Sequence, residues 1–186
     1  TLAAAISVGR VIALLAVAAA PILLEAGAAL IAAAITFAAA AFVMRFFDKE
    51  EAKGDSGQTL KSPLDLISVG QFVLLLGGII IVGRIVSEMY GQAGLLPFAA
   101  TAGLADVDAV TLAAASLVGN GLEAEVGAHA VMVAVLMNTL AKGVIAYMTG
   151  GARYAALYFG AALAATIAAA AVWFLVTPLI APMLEL

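Results

Sequence analysis

The sequence predicts an all-α, polytopic integral membrane protein, with about five spanning helices and one broken or re-entrant helical hairpin. Three observations predict it. Of the 186 residues, 66% are hydrophobic and the mean hydropathy is +1.19, whereas a soluble domain needs a charged surface. The 8 Lys and Arg and 12 Asp and Glu crowd most densely between Arg45 and Lys61, which leaves the rest nearly bare of charge. The bare stretches divide into units close to the roughly 20 apolar residues that cross a bilayer. The same composition excludes other classes. A net charge of −4 without a basic cluster argues against nucleic acid as a partner. The lack of cysteine excludes disulfides and thiolate-held metal.

Taken in order, the first apolar segment covers residues 2–24 and carries Arg10, with Pro21 loosening its end. It is too long, and lacks the basic start, for a signal peptide. The chain opens on Thr1 rather than Met, so it is expected to be a piece of something longer, or processed. Segment two, residues 26–47, is built largely of Ala, and small residues let helices approach closely in lipid. Residues 48–61 form the one clearly polar loop. Ser62, Pro63 and Asp65 then read as N-cap, first turn and third position of a helix. Segment three, residues 66–90, carries Gly70, Gly77 and Arg84 at seven-residue spacing on one face. Glu88, one turn on, can pair with Arg84.

A turn at 91–94 leads into residues 95–118, where two carboxylates one residue apart interrupt an apolar run. Pro97 suits the first turn of a short helix ending near Gly103. A second short helix starts at Asp106 or Asp108 and stops at Gly119-Asn120-Gly121. Two such pieces suggest a broken or re-entrant helix, whose irregular backbone is tolerated only where protein or a water-filled cavity satisfies it. Segment five, residues 128–149, carries Asn138, Thr139 and Lys142. Gly150-Gly151 makes a tight turn, Arg153 follows, and segment six covers 154–179, with Trp173 and Pro178 toward its end.

The chain also repeats itself faintly. Val11-Ile12-Ala13 recurs as Val144-Ile145-Ala146, and Gly27-Ala28-Ala29-Leu30 recurs as Gly160-Ala161-Ala162-Leu163, at the same offset. A basic residue, Arg10 or Lys142, precedes each first match. The expected organisation is therefore residues 1–47 as two spans ending a first repeat, 48–62 as a charged loop, and 63–186 as a second repeat containing the broken helix at 95–118. Arg45, Lys49, Lys53 and Lys61 place the loop in the cytoplasm by the positive-inside rule. If 95–118 re-enters, Arg153 also lands inside, and segments one and five run in opposite directions, as an inverted repeat requires.

The stretch Thr101-Ala102-Gly103-Leu104-Ala105-Asp106-Val107-Asp108-Ala109-Val110-Thr111-Leu112 resembles the signature of a prokaryotic membrane family described only as a domain of unknown function. Met137-Asn138-Thr139-Leu140-Ala141-Lys142-Gly143 is similar to a second pattern of that family. Ser62-Pro63-Leu64-Asp65-Leu66 resembles a third, with Ser62 where Asn is more usual. The resemblance is carried by residues 61–153. It implies a multi-pass protein of the prokaryotic cytoplasmic membrane, of which this chain is the C-terminal part. Such proteins are commonly fused behind an MgtC/SapB-type membrane domain, so upstream spans or that domain are the implied partners. The association also suggests a link to divalent-cation homeostasis.

Ionisable groups at bilayer depth cost ~2.5–3.5 kcal/mol each on insertion scales and are usually paired or functional. The candidate site is therefore Asp106, Asp108, Thr111, Asn138, Lys142 and Arg10. Asp108 has a structural reading as a helix cap, with Thr111 at the third position; Asp106 is then the residue expected to carry function. Arg84 and Lys142 can snorkel to an interface, or the cations can simply neutralise the two Asp as a structural ion-pair cluster. Asn138 and Thr139 can bond between helices. His129 reads as solvated at a membrane edge, and Glu123 and Glu125 as solvated in a loop. If a metal binds, Asp106 and Asp108 are its only candidate ligands here.

No enzyme is expected. There is no His-Glu-x-x-His and no Gly-x-Ser-x-Gly, and neighbouring Asp residues cannot face one scissile bond from opposite sides. No cofactor is called for; the lipid bilayer is a partner and a homo-oligomer is allowed. The expected function is translocation of an ion or small solute, with a cation or proton favoured, through a polar site near mid-membrane. The alternative is a membrane-embedded regulatory or assembly subunit whose charges only lock helices together. A third reading inverts the charge logic: three cations and helix N-termini could bind an anion.

Overall fold

The computed structural model describes residues 1–47 and 66–184, and every element in it is helical. The charged loop, the helix start at 62–65 and Glu185 lie outside the described residues. Helix α1 (Leu2–Ala18) and helix α2 (Ala20–Phe47) meet at Ala19, whose backbone is extended at φ −155° and ψ 74°. The boundary thus falls earlier than the sequence suggests. Pro21 opens the second helix rather than loosening the first, because a proline costs nothing in a first turn where its missing N–H has no partner anyway. The two helices pack on each other, and the Thr1 hydroxyl lies 3.7 Å from Met44 Sδ, so the chain folds back at Ala19.

Helix α3 (Leu66–Tyr90) ends at Gly91, which turns the chain at φ +62° into α4 (Gln92–Ala105). The turn expected over 91–94 is this single residue, and Pro97 lies inside α4 rather than in its first turn. One extended residue, Asp106, separates α4 from α5 (Val107–Val118). Residues 119–121 then turn the chain into α6 (Ala124–Leu184). This helix starts earlier than expected, so Glu125 stands in its first turn, suited to the positive end of the dipole.

Helix α6 is interrupted at Gly151, whose φ of +74° and ψ of −179° only glycine adopts freely. There the chain reverses. Tyr158 Oη donates to the Thr139 carbonyl at 3.2 Å, and the His129 and Trp173 rings lie 5.2 Å apart. Contacts on either side of Gly151 therefore close like a zipper. Among the described residues, three helical stretches are long and apolar enough to cross a membrane: Ala20–Phe46, Val73–Tyr90 and Ala124–Leu175, the last folded at Gly151. Helices α1, α4 and α5 are apolar but shorter.

The core forms where α6 meets α2, α4 and α5 and where α1 meets α2 and α5. Val11, Leu15, Ile22, Ala109, Ala113, Val131 and Ala134 are buried in it. Small side chains set its spacing: a Cβ at Gly103 of α4 would fall 2.6 Å from the Ala134 Cα of α6. Directions follow from the contacts. Ser7 meets Asn138, while Ile22, just beyond the Ala19 turn, meets Gly127. So α1 runs opposite to the first arm of α6. Phe37 of α2 lies 6.5 Å from Tyr158, while Ile22 at the start of α2 meets Gly127, close to the His129–Trp173 contact. So α2 runs opposite to the second arm.

Candidate functional site

The site begins where α4 stops. Asp106 leaves the helix, and its Oδ1 accepts from the backbone N–H of Asp108 at 2.8 Å and of Ala109 at 3.2 Å. Those are orphan donors of α5's first turn, and the carboxylate also suits the positive end of the helix dipole. The cap is therefore Asp106, not Asp108, and the expectation is reversed. Thr111 is not at the cap either. It is fully buried, and its hydroxyl donates to the Val107 carbonyl at 2.8 Å, within its own helix.

Freed from capping, Asp108 turns inward and is 7% exposed. Its Oδ2 is paired with the Arg10 guanidinium of α1. Its Oδ1 is buried and has no hydrogen-bond partner among the described residues. Such an oxygen is costly, because a desolvated charged group normally fills its lone pairs. The guanidinium is asymmetric in its surroundings, with 65% of the side chain exposed.

The remaining candidates gather beside this pair. Asn138 Nδ2 donates to Ser7 Oγ at 3.3 Å, tying α6 to α1. Lys142, one turn further, lines a crevice too narrow to hold a water molecule together with Ser7, Val107, Asn138 and Thr139. It stands within electrostatic reach of Asp108, Arg10 and Asp106 without an ion pair at contact distance. The structure thus brings together Arg10, Asp106, Asp108, Asn138 and Lys142, and it occupies Thr111 elsewhere. Sequence reasoning missed Ser7. Its spacing of three residues before Arg10 puts it on the same face of α1, and that was the available signal. Among the described residues no group of three or more His, Cys, Asp or Glu could hold a metal.

A second space adjoins the crevice. A largely apolar cavity of about 350 Å³ lies between α2 and the two arms of α6, and Val135 and Thr139 line both. His129 lines it too, half-buried against Trp173, with its Nδ1 2.9 Å from the Glu125 carbonyl.

No curated protein and no solved structure matches the chain. A family model does match, over residues 1–150. The α1–α2 hairpin, and Arg10 with it, thus falls within the family along with residues 61–150, and the match stops at the Gly151 reversal. With most of its length matched, this chain belongs to the family described as Domain of unknown function (DUF4010).

Proposed function

We propose that this chain is part of a membrane transport protein that moves an ion or small solute, with a cation or proton favoured, through the polar site at the α4–α5 break. The observation that carries the reading is Asp108 Oδ1, a buried carboxylate oxygen with no partner beside a second oxygen that has one. A purely structural ion-pair cluster, the alternative, would be expected to satisfy both oxygens, since half-satisfied buried networks destabilise. An oxygen left open is a place for a proton or a cation to arrive. Arg10 and Lys142 keep the site near neutrality when it is empty.

The arrangement of hairpins supports the same reading. The reversals at Ala19 and Gly151 are separated by one residue less than the offset of the sequence matches, and each helix of the first hairpin runs opposite to its counterpart. This is the pattern of an inverted repeat, in which transporters build their sites at the repeat interface from discontinuous helices. Arg10 and Lys142 then fall within one residue of corresponding positions, and both lie near Asp108. In this reading α4 and α5 form a re-entrant hairpin, the basic loop faces the cytoplasm, and the whole resides in a prokaryotic inner membrane behind an MgtC/SapB-type domain or further spans.

The test is uptake by the full-length protein in vesicles, driven by a proton or cation gradient. Asp108→Asn keeps the shape and removes the charge, so transport should fall at least about tenfold, equivalent to ~1.4 kcal/mol, while the protein still assembles. Loss of assembly instead of transport would favour the structural cluster. Normal uptake by a normally assembled variant would end the transport reading at this residue.

A further inference from the structure

Helix α3 is the least buried of the membrane-length helices: 11% of its apolar window is covered, against 28% for α2 and 33% for α6. Its inner side is seated on α4 and α5. Ile79 is buried, Phe98 lies 3.0 Å from where a Gly83 Cβ would stand, and Val86 lies against Gly94. The opposite side carries Gly70, Leu74, Gly77, Ile81, Arg84 and Glu88, in alternating steps of four and three. That is the a/d rhythm of a helix–helix seam, here facing outward.

The seam alternates knobs with holes. Leu74 is 77% and Ile81 61% exposed, and a Cβ at Gly70 or Gly77 would meet nothing within 4 Å. It ends in charge. Arg84 Nε donates to Glu88 Oε1 at 3.1 Å, with both side chains about two-thirds exposed.

We propose that this face is a homodimer interface, on which a second copy of the chain lays its own α3. Copies that share the orientation set by the basic loop insert the same way round. A self-complementary contact about a two-fold axis along the membrane normal therefore sets α3 parallel to α3. Equal positions then face each other. The glycines let the backbones close, and Leu74 and Ile81 fill the layers between them.

The charges select a copy over an unrelated helix. Arg84 and Glu88 are one turn apart, so two parallel copies can exchange partners, each Arg84 reaching the partner's Glu88. The result is a neutral cluster of four charges at one height. An uncovered face would leave the pair on an apolar surface, which lipid disfavours.

The 186 residues hold no native cysteine, so single cysteines introduced here, in a full-length protein with any cysteine elsewhere replaced, report the contact in its own membrane. Oxidation should give a disulfide dimer at Leu74→Cys, Gly77→Cys and Ile81→Cys. It should give none at Leu75→Cys and Val82→Cys, which are exposed at similar depth but point away from the seam. Equal crosslinking at all five positions, no crosslinking on the seam, or a product of another mass would each overturn the second copy as occupant.

Charge swapping provides an arm that does not depend on oxidation. Arg84→Glu copies carry two acids on the seam and Glu88→Arg copies two bases, so each should dimerise poorly alone. Co-expressed, the two should co-purify as a mixed dimer. Two variants that dimerise as well alone as together would show that the pair acts only within its own helix.

Discussion

Arg10 and Arg84 each hold a carboxylate, and the two pairs have little else in common. Arg84 and Glu88 lie one turn apart on α3, both about two-thirds exposed. Arg10 and Asp108 lie on different helices, 98 residues apart, and the Asp108 side chain is only 9% exposed. The local pair forms whenever its helix forms and says nothing about tertiary structure. The distant pair exists only once the α1–α2 hairpin and the α4–α5 break are both in place. Its cost is also different in kind, because one carboxylate oxygen is left buried and unpaired. The comparison teaches where this chain tolerates expense. An exposed pair on α3 costs the fold little, whereas a charge buried at the start of α5 costs it more.

The sharpest way to break the comparison is to remove each arginine's charge. Arg10→Met leaves the Asp108 carboxylate buried with no contact cation. The expected loss is ~3 kcal/mol, at the low end for breaking a buried pair because the guanidinium is itself largely exposed. Unfolding in detergent measures it. Adding Asp108→Asn should recover part of the loss, and strict additivity in that cycle would mean the two groups do not interact. Lys142→Met should couple to Asp108→Asn more weakly than Arg10→Met does, since Lys142 reaches Asp108 through space and not through a hydrogen bond.

Next in size is the other aspartate. Asp106 serves α5 through two backbone hydrogen bonds, and losing an N-cap typically costs ~1 kcal/mol. Asp106→Ala should therefore lower stability by about that amount. Asp106→Asn should lower it hardly at all, because asparagine caps as well as aspartate. Transport should follow the same division, with Asp106→Asn retaining uptake that Asp108→Asn loses. An Asp106→Asn variant that is stable but silent would return the functional role to Asp106.

These two carboxylates mark the limit of what the sequence discloses. That charge sits in an apolar run is plain from the sequence. Which carboxylate caps depends on where α4 stops, and that is a tertiary fact. Gly103 lets α4 approach the Ala134 backbone, and the chain leaves the helix three residues later. Turns follow the same logic. Gly150-Gly151 announces a reversal because its φ of +74° requires glycine. The reversal at Ala19 is made in extended backbone that any residue adopts, within an alanine-rich run, so Pro21 was the only mark near it and it pointed to the wrong helix end. Ser7 went unseen because its spacing from Arg10 was the one signal it gave, and that placed it on a face without naming its partner, Asn138.

The smallest effect belongs to the local pair. In detergent, with the chain monomeric, Glu88→Gln removes one partner of an exposed i,i+4 contact. Such pairs contribute ~0.3–0.5 kcal/mol, and salt screens them further. The unfolding midpoint should thus shift by less than measurement separates from wild type, and raising the salt concentration should not change that. In membranes the same substitution acts on a different quantity, because each copy loses the acid offered to its neighbour's Arg84, and the dimer population should fall while the fold of each copy stays intact. A loss of monomer stability near that of Arg10→Met would mean that Glu88 is engaged inside its own chain, and the distinction between a cheap outward charge and a dear inward one would collapse.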